Sequence, residues 1–298
     1  MILVKGRGYQ TPFVKDMLVQ SVTRAGMKPW QAHSFASEVA DELLGKEING
    51  ITSEELAELV YTRLKDLNER VAERYNIWRE IGKGDHEPPI ILLGGGTGVG
   101  TTTVGTEVAH RMGIKNVIAT DSIREIMRKT VSDKLLPVLH ASSYDAHKCM
   151  KVPIAKEKDK VIVSFLLQTW AVSVGIEAII ERAMKEGTPT MVEGLHVVPG
   201  FIPENYLKQD NVLLFMLHLK DEKEHKNRFY SRAFETKFKR SVESYIENFE
   251  HIRKIQKYIM GLAKDGEIPI LENTDAERTV TEIMDQSISA MVKQRRKS

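Results

Sequence analysis

Eight consecutive residues carry the most explicit chemistry in this chain: Gly95-Gly96-Thr97-Gly98-Val99-Gly100-Thr101-Thr102. Their spacing follows the phosphate loop Gly-x-x-x-x-Gly-Lys-Ser/Thr, with Thr101 standing where lysine is expected. Glycines let a backbone turn sharply and approach an anion closely. Val104, Val108 and Met112 repeat at helical spacing directly after the loop. A helix starting there adds free N–H groups and a partial positive charge. Thr102 takes the position whose hydroxyl reaches magnesium. Two dinucleotide-type patterns, Gly94-x-Gly96-x-x-Val99 and Gly95-x-x-Gly98, do not close a G-x-G-x-x-G and rank below the phosphate loop. The missing lysine matters, because losing one preorganised charge donor costs about 3 kcal/mol of transition-state stabilisation. Either another cation replaces it, or turnover is slow, or the chain only binds.

Further candidates lie after other apolar runs. Asp121, Arg124 and Arg128 follow Val117-Ile118-Ala119, and the two arginines, four apart, share a helix face. Paired arginines suit a substrate with phosphate or carboxylate groups, and Asp121 can orient or deprotonate an acceptor hydroxyl. Ser122 and Glu125 have the spacing of a capping box, which predicts a helix start there. Glu193 closes the run Thr190-Met191-Val192, where a carboxylate would hold magnesium or its waters. His196 reads equally as a substrate contact or a structural histidine. Ser142, Ser143 and Tyr144 concentrate hydroxyls in a loop, a weak signal alone. Arg228 and Arg232 again share a helix face and are expected either to close over transferring phosphates or to form a solvated face.

Elements must position these groups. The apolar runs Ile90–Leu93, Val117–Ala119, Thr190–Val192, Val212–Met216 and Ile268–Leu271 read as buried strands, each separated by enough chain for a helix. Strands alternating with helices predict a parallel α/β sheet flanked by helices, with ligands beyond the C-terminal strand ends. Val161 to Lys185 reads as a long buried helix stopped by Gly187. The polar stretch Gly82–Pro89 reads as a linker. It separates a small, mostly helical unit, residues 1–84, from residues 85–298. In the first unit a β segment at Ile2–Lys5 leads into a helix with Phe13, Met17, Leu18 and Val22 on one face. A second helix from Pro29 to Leu44 turns Phe35, Val39 and Leu43 to one side. A third starts near Ser53 behind a Thr52/Glu55 capping box, and a further helical stretch reaches Ile81.

Composition sets bounds. The 298 residues are 42% hydrophobic and 28% charged with net charge +2, which gives no pull toward nucleic acid. A single cysteine, Cys149, excludes an intrachain disulfide and a cysteine-based metal site. No uninterrupted apolar run approaches the ~20 residues of a spanning helix, and the N-terminus lacks the order of a signal peptide. The expectation is a soluble cytoplasmic protein with no membrane partner; whether it assembles with itself is left open.

In order and spacing, GGTGVGTTTVGTEVAHRMG, ATDSIREIMR, SSYDA, MVEGLHVVPG and NRFYSRA resemble the archaeal 2-phosphoglycerate kinase family, from about Pro88 onward. The N-terminal unit resembles the ATP-cone, a regulatory nucleotide-binding module, through Ile2-Leu3-Val4-Lys5, Gly8 and Pro12-Phe13, although Gly6 intervenes between Lys5 and Arg7 where Lys-Arg is common. The resemblance implies a P-loop kinase that uses ATP and magnesium to phosphorylate the 3-hydroxyl of 2-phosphoglycerate. The product, 2,3-bisphosphoglycerate, is the precursor of cyclic 2,3-diphosphoglycerate. Residues 95–102 would then cradle ATP, Thr102 and Glu193 handle magnesium, and Asp121 orient the acceptor. Arg124, Arg128 and Ser142–Tyr144 would hold substrate. Arg228 or Arg232 would supply the charge absent at Thr101. The competing reading is a nucleotide-sensing regulator with a silent loop.

Overall fold

In a computed structural model of the chain, residues 2–6, 8–45, 50–83, 86–150, 153–235 and 242–295 are described. The N-terminal apolar segment becomes β1 (Leu3–Gly6), paired antiparallel with β2 (Tyr9–Pro12) and parallel with β3 (Gly50–Thr52). Around this small sheet lie α1 (Lys15–Arg24), α2 (Pro29–Gly45), α3 (Ser53–Leu67) and α4 (Glu69–Lys83). The capping box forms as expected: the Glu55 amide donates to Thr52 Oγ1 at 3.1 Å, and the Thr52 amide donates to the Glu55 carboxylate at 2.9 Å. Phe35, Val39 and Leu43 are buried. On α1 the expected face shifts. The helix starts only after Phe13, so Leu18, Val19 and Val22 turn inward while Met17 is exposed. Helix α4 runs on through Lys83, past the expected start of the linker at Gly82.

The apolar runs after the linker become a five-stranded sheet, parallel throughout. Its strands are β4 (Ile90–Gly95), β5 (Asn116–Ala119), β6 (Thr190–Gly194), β7 (Val212–His218) and β8 (Ile270–Glu272), in the order β5-β6-β4-β7-β8. Central β4 is buried along its whole length, as its all-apolar sequence requires. The connections carry α5 (Thr101–Met112), α6 (Thr120–Thr130), α7 (Lys160–Glu186), the short α8 (Glu204–Leu207), α9 (Glu222–Glu235), α10 (Val242–Glu247) and α11 (Phe249–Asp265), and α12 (Ala276–Arg295) ends the chain's described part. Two compact units result: residues 1–87 with 110–113 and 284–298, and residues 88–109 with 114–283.

Three expectations change. Helix α6 begins at Thr120 behind Ala119 and has no side-chain cap, so the Ser122/Glu125 capping box does not form; both residues already lie inside the helix. Helix α7 ends as expected at left-handed Gly187, φ +59°, and is capped at its start by the Asp159 carboxylate on the amides of Val161 and Ile162. It is not buried all round, however: Phe165, Val172, Ile176 and Ile180 enter the core, while Leu167, Trp170 and Val174 are exposed. With a mean hydropathy of 1.6 over 18 residues, α7 is also long and apolar enough to cross a bilayer, although it contains no unbroken apolar run of that length. Ser164, Gln168, Thr169 and Ser173 break the run without lowering its average enough. A core helix of a sheet protein has this same composition.

Candidate active site

The glycine loop joins the C-terminal end of β4 to the N-terminus of α5, at the sheet's centre. Gly98 at φ +85° and Gly100 at φ +97° hold the left-handed backbone the loop needs. A loop whose amides face a ligand must turn carbonyls the other way, and those need partners. Here His225 Nε2 meets the Thr97 carbonyl at 2.7 Å. The Val99 carbonyl accepts from Arg228 Nη1 at 3.0 Å and from Asn273 Nδ2 at 2.8 Å. Arg228 also donates to the Asn273 carbonyl and pairs with Glu224 at 2.9 Å. Burial holds the His225 imidazole below its usual pKa. A neutral ring that donates from Nε2 leaves Nδ1 to accept from Arg253, 3.4 Å away.

Beside the loop, Thr102 Oγ1 donates to both oxygens of the Glu193 carboxylate at 3.1 and 3.2 Å. The register sets Glu193 on β6 opposite Leu93 of β4. Gly105 lets α5 approach: a Cβ there would lie 3.2 Å from the Glu193 Cβ. Glu193 is nearly fully buried. A hydroxyl and a carboxylate at a phosphate loop form an all-oxygen donor set that fits magnesium, which binds through one or two protein oxygens plus substrate phosphates. Among the described residues no group of three or more His, Cys, Asp or Glu forms a self-sufficient metal cage.

A cleft of about 660 Å³ opens on this face, a size suited to a small-molecule site. Its lining includes Gly96, Thr97, Gly98, Thr101, Thr102 and Glu193 of the loop and β6, and Asp121, Arg124, Ser142, Ser143 and Tyr144. Arg124 lies 3.6 Å from Asp121 and donates to the Ala141 carbonyl at 3.4 Å. It is the cation among the described lining residues. Arg128, one turn on, does not line the cleft and pairs with Glu125 at 2.6 Å. Arg228 lies behind the loop as described, also outside the lining. Arg232 falls in α9, but its side chain lies outside the described residues. His196 is fully buried behind Ser143, and desolvation pushes its pKa down to about 4. Gly95, Val99 and Gly100 shape the loop without lining the cleft.

Sequence reasoning missed several residues. Ser244 and Tyr245 of α10 also line the cleft, and Tyr144 reaches Ser244 at 3.4 Å. No pattern marked that short helix. Asn273 sits directly after β8, so inspecting the end of the fifth strand would have found it. Gln168 is a polar residue on the inner stripe of α7, between Phe165 and Val172, and that misfit was visible in the sequence.

A parallel sheet with a glycine loop after its central strand, an acid on the adjacent strand bonded to the loop threonine, and a cleft beyond the strand ends define a P-loop phosphotransferase. Comparison with known proteins agrees and goes further. The ATP cone domain family matches residues 1–83. Along nearly the whole chain, the sequence is 43% identical to the 2-phosphoglycerate kinase of Methanothermobacter thermautotrophicus, covering 97% of this chain and 94% of that one. It is 41% identical to that of Methanopyrus kandleri (98% and 88% covered) and 39% identical to that of Pyrococcus horikoshii (95% and 92% covered). The chain belongs to the 2-phosphoglycerate kinase family. Among solved structures, a gluconokinase from Sinorhizobium meliloti is 14% identical with a TM-score of 0.37, covering 70% of this chain and 94% of its own. A shikimate kinase from Acinetobacter baumannii is 17% identical with a TM-score of 0.40, covering 70% and 97%.

Proposed function

We propose that this chain transfers the γ-phosphoryl group of ATP to the 3-hydroxyl of 2-phosphoglycerate, giving ADP and 2,3-bisphosphoglycerate, a step toward cyclic 2,3-diphosphoglycerate. The observation that carries this reading is the convergence of the phosphate loop, the Thr102–Glu193 pair and the Asp121–Arg124 pair on one cleft, in a chain 43% identical to a 2-phosphoglycerate kinase over nearly its full length. The loop amides bind the phosphates. Thr102 and Glu193 would hold magnesium, which when bound neutralises phosphate charge. The acceptor oxygen forms the new bond to the γ-phosphorus as the bond to the bridging oxygen breaks, and Asp121 takes the hydroxyl proton. Arg124 supplies positive charge in the cleft where Thr101 supplies none, while Arg228 shapes the loop from behind. Ser142, Ser143 and Tyr144 contact the acceptor substrate, with Arg128 steering anions at longer range and His196 acting through Ser143.

Residues 85–298 form the catalytic unit and residues 1–84 a regulatory nucleotide-binding unit. A lone cysteine and a metabolite-sized cleft fit a cytoplasmic enzyme with no nucleic-acid or membrane partner. ADP release should depend on magnesium and be far faster with 2-phosphoglycerate than with other phosphorylated hydroxy acids. Equal background rates on the whole panel, with ATP still bound, would instead leave a nucleotide sensor. Calorimetry should count two nucleotides per chain; a single site would remove nucleotide binding from one unit.

A further inference from the structure

Gln168 of α7 is fully buried, and its hydrogen bonds fix its orientation. Its Nε2 donates to the Val138 carbonyl at 2.5 Å and to the Ala141 carbonyl at 3.1 Å, which uses both amide hydrogens. Its Oε1 therefore faces the opposite way, toward Ser143 Oγ at 2.5 Å and His196 Nε2 at 2.9 Å. An amide oxygen only accepts, so both neighbours must donate to it. The His196 proton then sits on Nε2, in keeping with an Nδ1 that has no hydrogen-bond partner. Burial holds the ring neutral, so a second proton does not disturb the arrangement. The Ser143 hydroxyl hydrogen is likewise committed inward. Ser143 nevertheless lines the same cleft as the phosphate loop, Asp121 and Arg124.

A serine whose hydrogen is spent offers only lone pairs to a ligand. It accepts from a hydroxyl and repels a carboxylate or phosphate oxygen. We infer that Gln168 is a positioning residue that makes Ser143 an acceptor-only contact, so that the cleft admits the substrate's hydroxymethyl end there and turns its two anionic groups toward Arg124. The inference rests on the kinase reading above and adds to it a determinant of substrate orientation. In the reaction the hydroxyl leaves its ground-state contact on Ser143 and gives its proton to Asp121, which lines the same cleft.

The test compares 2-phosphoglycerate with 2-phospholactate, which has the same anions and a methyl group in place of the hydroxymethyl. Both are titrated calorimetrically into the full chain with ADP and magnesium present. The wild type should bind 2-phosphoglycerate about tenfold more tightly, the worth of one hydrogen bond. Gln168→Met frees the Ser143 hydroxyl to donate to an anionic oxygen as well as to accept, so it should narrow that ratio by tightening 2-phospholactate. Gln168→Glu should keep the ratio, because a buried, protonated glutamic acid still accepts from Ser143 and donates its one hydrogen to one of the two carbonyls. A purely structural role would lower both affinities together and leave the ratio alone. Ser143→Ala, which leaves the Gln168–His196 bond in place, should erase the ratio even if Gln168→Met does not fold. A ratio near one in the wild type, or one unchanged in Ser143→Ala, overturns the inference while leaving the kinase reading intact if 2-phosphoglycerate is still phosphorylated. Failure of the wild type to bind either compound overturns both.

Discussion

The carbonyl of Val99 receives two side-chain donors, from Arg228 and Asn273, although it belongs to a loop whose task is to present amides. That division of labour separates two arginines of the same charge. Arg124 lines the cleft and Arg228 does not. Arg124→Met should therefore lower kcat by about a hundredfold with little change in the KM for ATP, the effect of removing one charge donor from the transition state. Arg228→Met should raise the KM for ATP about tenfold, the loss of a charge-assisted hydrogen bond that shapes the loop, and should lower kcat less. Steady-state kinetics on both variants checks the pair; a larger kcat loss in Arg228→Met would return the missing-lysine role to Arg228. Thr102 makes a sharper case. Thr102→Val keeps the volume but removes the hydroxyl bonded to Glu193. Its activity should need much more magnesium for half-saturation, which a magnesium titration at fixed ATP reads directly.

At the scale of elements, α7 shows what a sequence pattern does and does not contain. Its C-terminal end was legible because Gly187 has a local, stereochemical job, whereas the Asp159 cap at its start was not read from the sequence. Its burial was not legible, because an apolar helix reads the same whether two faces or one are covered. Phe165 is fully buried and Trp170 is 62% exposed, five residues apart. Phe165→Ala should cost about 3–5 kcal/mol of stability, whereas Trp170→Gln should stay within about 0.5 kcal/mol. Urea denaturation followed by far-UV circular dichroism checks both, and a large loss at Trp170 would mean that face is covered in solution. The five sheet strands were legible for a different reason: β4 is an unbroken apolar run, and a parallel central strand demands one. β2 and β3 were not, since Tyr-Gln-Thr-Pro is exposed and polar and Gly-Ile-Thr is three residues long. In the cleft, the residues near strand ends were legible from topology: Thr102, Asp121, Arg124 and Glu193. The hydrogen bonds joining Gln168 to Ser143 and Asn273 to Val99 span 25 and 174 residues, and nothing local announces such partners.

Across the whole molecule, burial leaves several histidines poorer bases than in an unfolded chain. Desolvation is the main cause at His147, His196, His218 and His225. A histidine whose folded pKa lies below its unfolded value of 6.5 keeps the folded state favoured while both states are neutral. As pH falls through 6.5 the unfolded chain takes up protons that the folded one does not, and stability declines until the folded pKa is reached. For fully buried His196 that window runs from 6.5 down to about 4, and its span corresponds to about 3 kcal/mol. Asp159 and Glu272, held below their usual values chiefly by hydrogen bonds from Lys254 and Lys220, begin to lose their contribution only at more acid pH, as they protonate. Stability should therefore fall on the acid side of neutrality before the carboxylates titrate. His196→Gln retains a donor toward Gln168 but cannot titrate, so it should flatten the fall between pH 6.5 and 4 while being less stable than the wild type at pH 7.5. Denaturation midpoints measured at half-unit steps over that range check the slope. A His196→Gln curve parallel to the wild type would show that the imidazole takes up its proton equally in both states.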